Sequence, residues 1–188
     1  VVPDMRGSGR STAHPRHEDY AQEAIVADML ELLAALGRER AVWVGHDWGS
    51  PVVWNIAAHH AGRCQGVASL CVPYLAAGFA LPSLMPLIDR RTYPEAEFPV
   101  GQWDYQHFYL ENFACAVAVF EADVSASVRC LFRAARPECR GKPSRTATIR
   151  RDGGWFGGAG RAPDLPRDPA VLTEADLSHY VAALTRNG

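Results

Sequence analysis

The 188-residue chain carries 19 basic and 21 acidic side chains, a formal net charge of −2, and 48% of its residues are hydrophobic. That is the composition of an ordinary globular domain with one sizeable core, and it argues against nucleic acid or an anionic membrane as a partner. No apolar run is long enough to cross a bilayer, and no charged-then-apolar leader opens the chain. The five cysteines lack C-x-x-C and matching His spacing, so no metal site is expected. Their odd number, with Cys71 in an apolar run, suggests buried reduced thiols in a cytoplasmic protein.

In chain order, Val1-Val2 ahead of Pro3-Asp4 reads as the tail of a strand. The loop Arg6-Gly7-Ser8-Gly9-Arg10-Ser11 matches neither the Walker nor the dinucleotide spacing and reads as a tight strand-to-helix connection. Ile25, Met29, Leu32, Leu33 and Leu36 form one stripe, which predicts a helix over 19–36 that Gly37 ends. Ala41 to Val44 is a short apolar run of strand type, buried on both faces if parallel. A helix over 49–61 and a buried strand over 66–72 follow, and this alternation predicts an α/β fold with a mostly parallel sheet. After Pro73 helical segments dominate: 103–112, one or two more within 114–135, and 173–186 behind a capping box of Thr173 and Asp176. Residues 142–169 form a Gly- and Pro-rich loop. The expected organisation is therefore a core region over 1–74 and a mainly helical region over 75–188.

Val44-Gly45-His46-Asp47-Trp48-Gly49-Ser50 has the G-x-(nucleophile)-x-G form between a strand and a helix. Glycines at both ends let the chain turn sharply where Cβ atoms would collide, pushing the middle side chain out at the carboxyl edge of the sheet. The middle residue is an aspartate, and Ser50 lies outside that slot. A carboxylate attacking a saturated carbon forms an ester, which water can cleave at its carbonyl, whereas a serine would leave an inert ether. The expected substrate has an electrophilic sp³ carbon, as in an epoxide or an alkyl halide. The bland alternative is Asp47 as a simple helix cap.

These residues resemble the epoxide hydrolase branch of the α/β-hydrolase superfamily. The resemblance spans the loop Pro3 to Ser11, the elbow Gly45 to Gly49 and the segment Trp103-Asp104-Tyr105-Gln106 with Phe108-Tyr109. It implies an α/β-hydrolase core with a helical cap starting after Val72-Pro73-Tyr74, no cofactor, and a small hydrophobic epoxide as substrate. It further implies Asp47 as nucleophile and Tyr105 as ring-opening acid. The Trp48 amide would form half of the oxyanion hole, while its indole either walls an apolar pocket or donates to a substrate heteroatom. On periodicity alone, Tyr105, Phe108, Tyr109 and Asn112 share one helical face and read as packing. His46 reads as structural, and Trp155 and Phe156 as pins of the Gly-rich loop.

The same resemblance implies a water-activating histidine with an acid partner, a second tyrosine and an H-G-x-P loop, none of which matches a position in this sequence. The expectation is therefore a fragment of a longer gene product that does not turn over repeatedly by itself. A haloalkane dehalogenase and a truncated, catalytically incomplete remnant are the alternatives.

Overall fold

The computed structural model describes residues 1–187, which fall into two compact units, 1–80 and 81–187. Each is described by itself.

In the first unit a 3₁₀ turn over His17–Tyr20 leads into α1 (Gln22–Ala35), followed by β1 (Ala41–His46), α2 (Gly49–His59) and β2 (Cys64–Leu70). The two strands pair in parallel from Ala41 opposite Cys64 to His46 opposite Leu70, with an irregularity after Ala41. The α/β class read from the sequence is thus the one observed. Val26 of α1 and Val52 and Ile56 of α2 form the core, with Ile25, Met29, Leu30 and Trp43 packed against them. Ile56 is wholly buried, and burying a side chain of that size stabilises by about 2–3 kcal/mol.

Several expectations need correction here. Val1 and Val2 join no strand among the described residues and are almost fully exposed. The first helix begins later than the stripe suggested, because a 3₁₀ turn takes its first residues, and Leu36 lies outside it and exposed. Neither strand is buried on both faces: Trp43 turns toward the helices, while Val42, Val44 and Leu70 are 60%, 66% and 50% exposed. The helices cover one face only, and a period of two puts these side chains on the other. Cys71 is exposed because β2 stops at Leu70 and the chain bends there with Cys71 at φ 61°; Cys115 and Cys139 are exposed as well.

Arg6 ties the opening loop to α1. Its Nε and Nη2 each lie 2.6 Å from a carboxylate oxygen of Asp28, and further donors reach the Asp19 and Ala24 carbonyls. This two-pronged bond holds the Asp28 carboxyl below the usual carboxylate range.

The second unit contains α3 (Leu81–Leu84), α4 (Asp104–Glu121), α5 (Val124–Leu131) and α6 (Glu174–Asn187). α4 is broken at Asn112 (φ −135°, ψ 34°), so its first two turns form a separate segment. Asp123 caps α5 by accepting from the Ala126 amide at 2.8 Å. The capping box of α6 is present: the Thr173 amide donates to Asp176 at 2.9 Å, and the Asp176 amide donates to the Thr173 hydroxyl at 3.1 Å. No described helix is long and apolar enough to cross a membrane.

Candidate active site

The chain turns from β1 into α2 through Asp47, whose φ of 48° lies in the left-handed region. A non-glycine residue there is strained by about 1–3 kcal/mol, and aspartate tolerates it better than most. Three donors hold the turn. The Asp47 amide donates to the Leu70 carbonyl at 3.3 Å, and the Ser50 amide donates to the Asp47 carbonyl at 2.9 Å. The Ser50 hydroxyl, fully buried, lies 3.1 Å from the Gly45 carbonyl and 3.2 Å from that of Leu70, one donor shared between the ends of both strands. Ser50 is therefore structural, its hydroxyl turned into the protein, while Asp47 is exposed at the strand's carboxyl edge.

The glycines divide in a way the motif alone does not reveal. A Cβ on Gly45 would sit 2.4 Å from the Gly49 carbonyl oxygen, 2.7 Å from its carbon and 2.8 Å from Val53 Cγ2. A Cβ on Gly49 would meet nothing within 4 Å. The collision expected at both positions exists only at Gly45, where a side chain would strike backbone.

Trp48 follows with helical dihedrals (φ −63°, ψ −15°) at the start of α2. Its amide belongs to the first N–H groups of the helix, which have no intrahelical acceptor and point toward incoming negative charge. Its indole is 53% exposed and lines a cleft of about 440 Å³ whose walls include Trp54, Tyr74 and Phe79, with Gln22, Asn55 and His59 as polar members. Trp54 is fixed by donating to the Val72 carbonyl at 3.2 Å and by edge-on contact with Tyr74 at 5.6 Å. Sequence reasoning assigned nothing to Trp54 or Tyr74, and two lone aromatics 20 residues apart give no local signal. His46 is exposed beside the turn.

Tyr105 belongs to the second unit, on the first turn of α4. It is half-buried, edge-on to Tyr109 (5.9 Å, 90°) and to Trp155 (6.3 Å, 65°). Tyr109 stacks on Trp155, and burial pushes its phenol above the usual range. The packing expected for this aromatic face is thus present, and Phe108 makes its buried centre with Ala116 and Ile149. Trp155 and Phe156 do pin the Gly-rich loop, each packed on Phe120.

The residue before Tyr105 escaped the sequence reading. Asp104 is only 6% exposed and receives the Arg150 amide at 2.8 Å and the Arg150 Nε at 2.6 Å. Arg150 Nη1 also reaches Glu111 at 3.1 Å, so one guanidinium straps both ends of the helix segment that carries Tyr105. Its partners are 46 and 39 residues away in the chain, beyond any motif.

The profile of the α/β-hydrolase fold matches residues 1–119, well over half of the chain. The chain belongs to the α/β-hydrolase fold family. Its full length is similar to epoxide hydrolases. It is 34% identical over 192 residues to epoxide hydrolase A of Mycobacterium tuberculosis, covering all of this chain and 54% of that protein. It is 32% identical over 188 residues to bifunctional epoxide hydrolase 2 of Sus scrofa, covering 31% of that protein. Among solved structures, epoxide hydrolase A from Mycobacterium thermoresistibile superposes with a TM-score of 0.69 at 28% identity, over 99% of this chain and 54% of that one. The chain thus spans from about a third to about half of the length of these relatives.

Proposed function

We propose that this chain carries the alkylation machinery of an epoxide hydrolase, with Asp47 as nucleophile and Tyr105 as ring-opening acid. The observation that carries the reading is the exposed aspartate at a left-handed turn between β1 and α2. Backbone bonds and the Gly45 close approach hold that turn, which supports reading its carboxylate as the nucleophile. The names of the relatives support the substrate class.

In the first step an Asp47 carboxylate oxygen displaces a ring C–O bond from behind. The phenol proton of Tyr105 passes to the leaving oxygen, giving a 2-hydroxyalkyl ester of Asp47. In the second, water adds to the ester carbonyl with the help of a general base. The Trp48 amide donates to the developing oxyanion, and collapse releases a vicinal diol and the free carboxylate. Asp47 does not itself line the cleft beside the turn, but Trp48, Trp54 and Tyr74 give that cleft apolar walls that suit an aryl or hydrocarbon arm on the epoxide. No metal or organic cofactor enters either step.

The test incubates the chain with styrene oxide and follows both intact mass and diol. The expected result is one added epoxide mass per chain, or diol, with both lost in Asp47→Ala. Reaction with 1-bromobutane and indifference to styrene oxide would transfer the assignment to dehalogenation. Inertness of both in a folded chain would reject the alkylation chemistry.

A further inference from the structure

Among the polar neighbours of the Tyr105 hydroxyl is the side chain of the very next residue: Gln106 Nε2 donates to Tyr105 Oη at 3.2 Å. Consecutive residues on a helix do not face each other. The contact exists because the glutamine's three torsions carry its amide back round the helix to the tip of the neighbouring ring. Three further features hold that ring still. Tyr109 and Trp155 stand edge-on to it, the Asp104–Arg150 strap fixes the turn on which it sits, and the break at Asn112 separates this segment from the rest of α4.

The direction of the bond matters chemically. A phenol oxygen that accepts a hydrogen bond keeps its own hydrogen free to be given elsewhere, and the donor stabilises the phenolate left after the proton has gone. An acceptor in the same place would instead tie up the phenol's hydrogen. We propose that Gln106 is a positioning residue for Tyr105, holding the phenol in the donor state and stabilising its phenolate while the epoxide opens. This rests on Tyr105 being the ring-opening acid. When the proton moves, the phenol O–H bond breaks, an O–H bond forms on the former ring oxygen, and solvent later restores the phenol.

A neutral hydrogen bond of this kind is worth roughly a 3- to 10-fold change in rate when it strengthens in the transition state. The experiment measures the single-turnover rate of styrene oxide addition to the full chain, for the wild type, Gln106→Leu, Gln106→Glu and Tyr105→Phe. For each protein the saturating rate is separated from the half-saturating styrene oxide concentration. The expected result is a rate lowered about 3- to 10-fold in Gln106→Leu. The fall should appear in the saturating rate, with the half-saturating styrene oxide concentration and the thermal stability unchanged. Gln106→Glu should be slower still, since a carboxylate captures the phenol's hydrogen. A Gln106→Leu protein with wild-type rate, beside a slow Tyr105→Phe, would overturn the role of Gln106 and leave Tyr105 as the acid. Tyr105→Phe at wild-type speed would overturn the acid assignment instead. A rate loss in Gln106→Leu that tracks a fall in stability would reduce Gln106 to packing.

Discussion

The elbow makes its sharpest quantitative demand at Gly45. Gly45→Ala places a methyl 2.4 Å from the Gly49 carbonyl oxygen and 2.7 Å from its carbon, distances that real Cβ atoms essentially never show. The obstacle is backbone at the start of α2, so relief requires the helix to move away from β1. That movement would pull the Ser50 hydroxyl from the Gly45 and Leu70 carbonyls. Overpacking costs about 1–3 kcal/mol, and with backbone as the obstacle the expected loss is near the top of that range, about 3 kcal/mol. With a urea dependence of about 1–3 kcal/mol per molar, the unfolding midpoint should fall by about 1–3 M. The assay is urea unfolding followed by far-ultraviolet circular dichroism, with Gly49→Ala as its companion. Nothing lies within 4 Å of the Cβ at Gly49, so that variant should unfold within about 0.5 kcal/mol of the wild type or above it, alanine being the better helix former. Equal midpoints for Gly45→Ala and the wild type, or equal losses for the two variants, would refute the close-approach explanation of the turn.

Three further outcomes are expected. Arg150→Met leaves the Asp104 carboxylate in place without its cation; because Arg150 is itself partly exposed, the loss should be about 2–3 kcal/mol by chemical denaturation, with slower alkylation because Tyr105 loses its strap. Asp28 has a carboxyl held below its unfolded value by Arg6, so its stabilisation is complete above the unfolded value near pH 4 and is lost as pH falls through the depressed folded value; Asp28→Asn should therefore unfold with a flatter acid limb than the wild type in a pH series of thermal melts. Ser50→Ala removes the donor shared by two buried carbonyls and should cost about 1–2 kcal/mol in the same urea assay.

The parts of the protein that were legible in its sequence are those whose physics is local. The strand–turn–helix around Asp47 could be read because its parts occupy adjacent residues, and the Thr173–Asp176 box because its partners are three apart. Burial was less legible, since an apolar run such as Ala41 to Val44 says that a strand is suited to burial and nothing of what covers it. Val42 and Val44 are open because the helices of this chain pack on the other face. Cys71 was misread for a related reason: its apolar neighbours belong to β2, but the bend that exposes it begins one residue after the strand. The need for glycine was likewise assigned to both ends of the elbow, whereas only the direction in which each Cα faces decides it. The frame around Tyr105 was out of reach altogether. Arg150 finds Asp104 across 46 residues, and Gln106 bends back onto its own neighbour, a contact that helical periodicity argues against.

The central claim is that Asp47 forms a carbon–oxygen bond to the substrate, and tandem mass spectrometry of the protein after brief exposure to styrene oxide tests it most directly. The aspartyl-ester reading predicts one epoxide mass on the peptide containing Asp47, with the fragment series placing it on that side chain. It also predicts loss of the adduct in dilute alkali, as an ester requires. An adduct resting instead on the exposed thiol of Cys71 or on His46, and persisting in Asp47→Ala, would contradict it.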